Sequence, residues 1–416
     1  MPRRRPINLS RDAFRHLAAA LGVAVLSTAA HADWTLLPAD GTPSPNLTVN
    51  TWTPAEGLSA TDKSGKLVRF PTRDIVSLTP ARPPASLLAE ARLSRWKLSL
   101  RNGDVLYGSP VGFSGQSFLF KVPEIAGGTG LSIPLKAIAS LTNPKADPKA
   151  LPPAAAADKD IVRFVNTNDQ QGGIVANIDA TKVQLALEGA EAPTDFPLDR
   201  VALIQFGGAA SPRGVPPLSL RLTFASGTTC TIPAQEPATF NWSLNKITFK
   251  DTGDTEYALP STYLTSVEVL GGRVLFLTEL DPAAEEQVSL LGTRWPMQVN
   301  KNVLGQPLRV ARTEYARGIG VHTQSSLVYT LDGSFETFSV QVGLDDSAAP
   351  QGEAIASVLL DGKTLWKSDT LHPGQVSPPL NLPIAGGKRL ELRADPASRL
   401  DILGRVDWLN PALKRR

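Results

Sequence analysis

The sequence predicts an all-β protein, four tandem small antiparallel barrel-like repeats followed by a β-sandwich. Three observations predict it. Among 416 residues there are 35 Pro and 33 Gly, a content that favours short strands joined by turns over long helices. One string, apolar-Pro-x-x-x-apolar-x-x-apolar, recurs with Pro71, Pro134, Pro197 and Pro260 spaced 63 residues apart each time. From about Val274 this pattern gives way to alternating segments such as 338–342, 356–360 and 389–393, bounded by turn residues.

Composition sets further bounds. Hydrophobic residues are 42% and charged residues 19%, which describes a folded chain rather than a disordered one. A single Cys excludes an intrachain disulfide framework and any multi-Cys zinc or iron–sulfur site.

The N-terminus reads as an export signal. Arg3, Arg4, Arg5, Arg11 and Arg15 precede an apolar run over 17–30 that ends at Ala30-His31-Ala32, an A-x-A cleavage site. The run is shorter than the ~20 apolar residues a membrane span needs. Segment 10–14 has one Arg where a twin-arginine signal needs two. Cleavage after Ala32 is expected, with the mature chain exported to the periplasm or beyond the cell.

Removing 1–32 leaves 37 basic and 38 acidic residues, a net charge of −1. Apart from Lys414-Arg415-Arg416, no basic cluster remains of the kind a nucleic-acid binder requires. No other stretch is long enough to span a bilayer. These features exclude nucleic acid and membrane as expected partners.

The repeats are assigned to 33–80, 96–142, 161–207 and 218–270. In each string one apolar residue precedes the proline (Phe70, Ile133, Phe196, Leu259) and two follow it (Ile75/Leu78, Ile138/Leu141, Val201/Ile204, Leu264/Val267). The first, second and fourth units open alike, with alternating strands that run from Trp34 to Gly41, Trp96 to Gly103 and Leu220 to Gly227. The third, from Phe164 to Gly172, is looser. Five short strands in about 45 residues resemble Sm-like or SH3-like barrels, which curl to remove their own edges. Segment 86–95 is the most helix-like stretch. Segments 143–160 and 207–217 read as Pro-rich linkers.

No catalytic residue stands out in these units. Between Asp33 and Gly272 there is no His, and Cys230 lies on an alternating strand as a small packed thiol. Trp34, Trp96 and Trp242 recur near strand starts and read as core. The units are a spacer or a contact surface for another exported protein.

The last third carries a more specific pattern. Gly318-Ile319-Gly320-Val321-His322 is followed by Val342-Gly343-Leu344-Asp345-Asp346. After these come Asp361-Gly362-Lys363-Thr364-Leu365-Trp366-Lys367-Ser368 and then Asp407-Trp408. In this order the pieces resemble the NPCBM family of carbohydrate-binding modules found on bacterial glycoside hydrolases, over 273–416. The resemblance implies a galactose-binding-like β-sandwich, a jelly roll, that binds sugar in loops at one end and has no catalytic apparatus. Where the family closes on H-A-D-W, this chain has Arg405-Val406-Asp407-Trp408, so the family His is missing.

Candidate carbohydrate contacts are therefore His322, Asp345, Asp346, Arg405, Asp407 and Trp408. Asp345 and Asp346 are also the candidate site for Ca²⁺, against the alternative of a turn cap. His322 contacts sugar or is satisfied by a neighbouring backbone carbonyl. Trp366 reads as core and His372 as exposed. Asp332-Gly333 and Asp361-Gly362 read as hairpin turns.

The expected function is an exported, non-catalytic carbohydrate-binding protein. The alternative is an envelope scaffold that uses the same sandwich for protein contacts. No G-x-S-x-G, H-E-x-x-H or phosphate-binding Gly loop is present. An enzyme is not expected.

Overall fold

The computed structural model describes residues 33–416 except 83–93, 126, 128, 129, 147–157, 166, 168, 209–212, 235–239, 251–254, 289–291, 399 and 401. The expected export signal, most of 86–95 and the middles of both linkers lie outside the described residues. Among the described residues no helix is long and apolar enough to cross a membrane. The architecture is all-β.

The recurring string has one structural meaning at all four sites. Each proline has φ near −60°, set by its ring, and leads directly into a three-residue 3₁₀ turn: Thr72–Asp74, Leu135–Ala137, Leu198–Arg200 and Ser261–Tyr263. The strands that follow are Ile75–Pro80, Ile138–Thr142, Val201–Gln205 and Leu264–Leu270. Their two apolar motif residues stand three apart, although residues on one face of a regular strand stand two apart. A bulge resolves this. The register skips one residue at Val76, Ala139, Ala202 and Thr265, so both apolar side chains turn inward. All eight are at most 2% exposed.

Each post-turn strand pairs with the opening strand of its own unit: Trp34–Pro38, Trp96–Leu100, Asp160–Phe164 and Ser219–Phe224. In the first three units the opening strand pairs with a long second strand, which continues through a third to a fourth. In the fourth unit, Thr229–Pro233 and Phe240–Ser243 stand where the others have one long strand.

The units do not close individually. Ile75–Pro80 pairs with Leu264–Leu270, setting Leu78 opposite Val267, and Ile138–Thr142 pairs with Val201–Gln205, setting Leu141 opposite Ile204. The first unit thus joins the fourth, and the second joins the third. Trp242 pairs with Trp52, and the Trp34, Trp52 and Trp242 rings cluster at 5.1 and 6.2 Å in one core. Asp104 ties the two sheets together by accepting from the backbone N and Oγ1 of Thr231.

Residues 274 onward form a sandwich. One sheet orders Gln298–Val299, Gly318–His322, Arg405–Arg415, Phe335–Leu344 and Leu380–Pro383, with Val274–Phe276 also on Arg405–Arg415. The other orders Ala284–Gln287, Ser325–Thr330, Arg389–Pro396, Ala354–Leu360 and Lys363–Lys367. Asp361-Gly362 is a hairpin turn with both φ positive. Asp332-Gly333 is not a hairpin, because the strands on either side of it belong to different sheets and it carries the chain across the sandwich.

The repeat units meet one end of the sandwich. The Arg273 backbone donates to Arg73 O at 2.8 Å, and Arg317 pairs with Glu268 at 2.5 Å and Glu279 at 3.0 Å. Strand direction puts the loops after His322 and Leu344, and the loop before Arg405, at the opposite end.

Candidate functional site

His322, Arg405 and Asp345 occupy neighbouring positions in three adjacent strands at that free end. His322 pairs with Arg405, and the Asp345 backbone N donates to Arg405 O at 3.0 Å. Asp346 follows in a 3₁₀ turn. Asp407 lies two residues deeper, between Gly320 and Gly343. The sequence candidates do converge, but not as a set of exposed ligands.

Strand alternation divides the last two. Asp407 shares a face with Arg405, whereas Trp408 points the other way, into the sandwich core at 0% exposure. The carbohydrate contact expected of Trp408 is not available here, because neither face of its ring reaches a surface. Trp366 packs against the same core from a partly buried position.

Asp345 is a tether. Its Oδ1 accepts from Asn302 Nδ2 and Ser347 N, both at 3.0 Å, and its Oδ2 accepts from Arg309 N at 3.2 Å. It caps the 3₁₀ turn Asp346–Ala348 and holds segment 302–309 against the sheet. Asp346 Oδ2 accepts from Arg312 N at 3.0 Å and lies 3.5 Å from Arg309 Nε.

Asp407 is 1% exposed, and no N–H donor reaches either of its oxygens. Burial pushes its carboxyl up to about 9, helped by the charge of Asp345, a hydrogen bond with that carboxyl, and the charge of Asp346. The two flanking glycines permit this burial. A Cβ at Gly320 would stand 2.5 Å from Asn302 Cα, and one at Gly343 2.5 Å from Val310 Cγ1, so the covering segment rests directly on the sheet.

This arrangement does not fit the Ca²⁺ site expected at Asp345 and Asp346. Calcium takes six to eight oxygen ligands, but Asp345 already accepts from Asn302, Ser347 and Arg309, and Asp346 Oδ2 accepts from Arg312. Among the described residues no group of three or more His, Cys, Asp or Glu is placed to hold a metal. The alternative of a turn cap describes Asp345.

His322 is 7% exposed, and its Nδ1 lies 3.4 Å from Thr323 Oγ1. Its ring stacks on Trp295, with centroids 5.5 Å apart and planes 17° from parallel. Trp295 is half-buried, and Gln287 Oε1 accepts from its backbone N at 2.8 Å. Trp295 was not among the sequence candidates, although an aromatic in a polar loop just before Pro296 is a readable signal. Arg405 is half-buried and donates from Nη1 to Ser347 O at 2.7 Å. The exposed Leu400 and Ile402 lie in the loop that precedes Arg405. His372 is half-exposed, 4.0 Å from Glu353.

The free end thus offers one immobilised, partly exposed aromatic ring, a guanidinium and two exposed aliphatic side chains. Such a surface suits the mixed apolar and hydroxyl character of a sugar. Two concavities lie elsewhere. One is a cleft of about 610 Å³ between 37–41 and the sandwich, and the other is a groove of about 980 Å³ on the outer face of the second sheet.

Residues 274–414 match the family model described as the NPCBM/NEW2 domain, which covers about a third of the chain. A Renibacterium salmoninarum protein, whose name carries a provisional endo-alpha-N-acetylgalactosaminidase assignment, is 29% identical over 106 residues. The match covers 26% of this chain and 7% of that relative, so the chain spans under a tenth of the relative's length.

Among solved structures, a CBM51 module from Clostridium perfringens GH95 in complex with methyl-galactose is 21% identical, covering 34% of this chain and 99% of that one at a TM-score of 0.31. Tandem CBM51 modules of a Streptococcus pneumoniae family 98 glycoside hydrolase are 12% identical, covering 86% of this chain and 88% of theirs at 0.31. A CBM51 module of Clostridium perfringens ZmpB, with its INT domains and GlcNAc, is 18% identical, covering 41% and 36% at 0.31.

Proposed function

We propose that the sandwich over 274–414, a module of the NPCBM/NEW2 carbohydrate-binding type, recognises a glycan at its free loop end without catalysis. In this reading the chain is exported behind the 1–32 signal, and the repeat units hold the module from behind. The observation that carries the proposal is the Trp295–His322 stack. It is an aromatic surface fixed on a strand end within the family-matching region, on the end away from the repeats.

Trp295 would receive the apolar face of a pyranose ring. Arg405 would donate to its hydroxyls, and His322 would hold the Trp ring in place rather than touch the sugar. Asp345, Asp346 and Asp407 would shape the loop from beneath, and Ca²⁺ would not be required.

The scaffold alternative is favoured by one observation, the exposure of Leu400 at 58% and Ile402 at 59% beside the same loops. A glycan array probed with the full exported chain and with Trp295→Ala separates the two. Retention on one class of glycan, lost in the variant, supports recognition of sugar. No retention by the folded wild-type chain excludes it and leaves the protein-contact reading.

A further inference from the structure

The second sheet presents an outer face that the loop-end site does not use. Its pairing register sets two rows of side chains straight across it. One row runs Ala284, Val328, Glu391, Leu359, Thr364, and the next runs Glu286, Ser326, Arg393, Ser357. The small residues make the floor low, and Val328 and Leu359 are 8% and 7% exposed at its bottom. The groove of about 980 Å³ lies over these rows. Five strands at about 4.8 Å spacing make it roughly 19 Å across, far longer than one sugar ring.

A buried carboxylate organises its polar groups. Glu391 is 3% exposed, yet it lies on the outer face. Its Oε1 accepts from Ser326 Oγ at 2.9 Å and from Arg393 Nη2 and Nε at 2.6 and 3.1 Å, and its Oε2 accepts from Arg389 Nη1 at 2.8 Å. Four N–H and O–H donors already occupy it, three on Oε1 and one on Oε2, so Glu391 itself has little left for a ligand. What it does is fix two guanidinium planes. Arg389 and Arg393 keep side chains 49% and 43% exposed, with further N–H groups for an incoming oxygen. Fixing them in advance removes most of the ordering cost of using them.

One end of the groove lies on the same side of the sandwich as the proposed sugar site. At the loop end it is lined by Gln324, Ser325, Asp395 and Pro396, and the Val288 backbone N donates to Gln324 O at 2.9 Å. Gln287, next to Val288, is the residue that holds the Trp295 backbone. Val288, 71% exposed, leaves an apolar step between the two.

We infer that the groove between Glu286 and Thr364 is an extended subsite for oligosaccharides, taking the inner residues of a glycan whose end is held at Trp295. This rests on the glycan-binding reading of the loop end. A floor that mixes Val328 and Leu359 with the buried Glu391, walled by guanidinium and carboxylate groups, suits a neutral, hydroxyl-rich chain. The charge is mixed, Arg389 and Arg393 against Glu286, Glu391 and Asp395, so a polyanion gains little.

The test uses the full chain on an array of defined neutral glycans from mono- to hexasaccharide, with Arg389→Ala, Ala284→Phe and Trp295→Ala. Ala284 is exposed at the groove edge, so the Phe variant fills the groove without disturbing the Glu391 cluster. The expected result is affinity that rises with glycan length. Both groove variants then lower the longer glycans by roughly tenfold, the loss expected for one charge-assisted hydrogen bond or its obstruction, and spare the shortest. Trp295→Ala weakens all lengths. Retention that is independent of length, or unmoved by Ala284→Phe, overturns the groove and leaves the loop-end site standing. Retention of no glycan at any length overturns both.

Discussion

Asp407 lies beside Asp345 beneath segment 302–309, one buried with no N–H donor on its carboxyl and the other holding the loop. Asp345 receives three N–H donors, whereas Asp407 receives none and burial pushes its carboxyl up to about 9. The pair fastens the closing strand to the neighbouring strand and to the segment that covers both.

This pair predicts a pH dependence with a definite sign. A carboxyl whose folded pKa is raised stabilises fully below its unfolded value and loses that contribution as pH rises through the folded value. For Asp407 the loss runs from about 4 to about 9. Thermal melts of the full chain between pH 5 and pH 9 should show the sandwich transition falling with pH. Asp407→Asn, which keeps a donor without the charge, should flatten that fall. A transition that rises over this range contradicts the raised carboxyl of Asp407.

Glycine at 320 is required by the close approach of Asn302. Gly320→Ala should lift segment 301–310, expose the Asp407–Asp345 pair and destabilise the sandwich by about 1–3 kcal/mol, an overpacking cost. Denaturant unfolding followed by Trp fluorescence reads this directly. An unchanged midpoint would mean that the segment does not rest on the sheet.

The joint between repeats and sandwich depends on Arg317, which stands 3.9 Å over the Phe276 ring and bridges Glu268 and Glu279. Burial pushes Glu279 up to about 7, partly offset by Arg317. Stability from this group is present below about 4.5 and lost as pH rises towards 7. Glu279→Gln should remove that slope, whereas Arg317→Ala should cost about 2–3 kcal/mol and expose the joint to protease. Proteolysis that is unchanged in Arg317→Ala would count against the bridge.

Within the repeats, Leu141 meets Ile204 across the seam between the second and third units, and both are fully buried. Leu141→Ala should cost about 2–5 kcal/mol. Hydrogen exchange should show lost protection in both units. Loss confined to 96–142 would mean that the two fold independently.

The sequence revealed what is local. A proline setting φ, a short turn and two apolar residues form one contiguous string, so their recurrence could be read without coordinates. The three-residue spacing of Ile75 and Leu78 already encoded a bulge. Partner choice between units could not be read, because Leu78 could pair with any of three equivalent edges and only long-range packing selects Val267. At the site, strand alternation implied that Asp407 and Trp408 face opposite ways, but which one faces the core depends on the neighbouring strands. Asp332-Gly333 has hairpin chemistry in a crossing between sheets. Trp295 lay outside the strongest motif pieces, and its stack on His322 joins residues 27 apart in sequence.

The central claim is that Trp295 is the sugar platform. The direct measurement is a glycan array with the full chain, wild type and Trp295→Ala, each with Ca²⁺ and with a chelator. The expected result is saturable retention of one glycan class by the wild type, undiminished by the chelator and reduced at least tenfold in the variant, as for a lost stacking partner. Retention that survives Trp295→Ala, or that vanishes with the chelator, would contradict it.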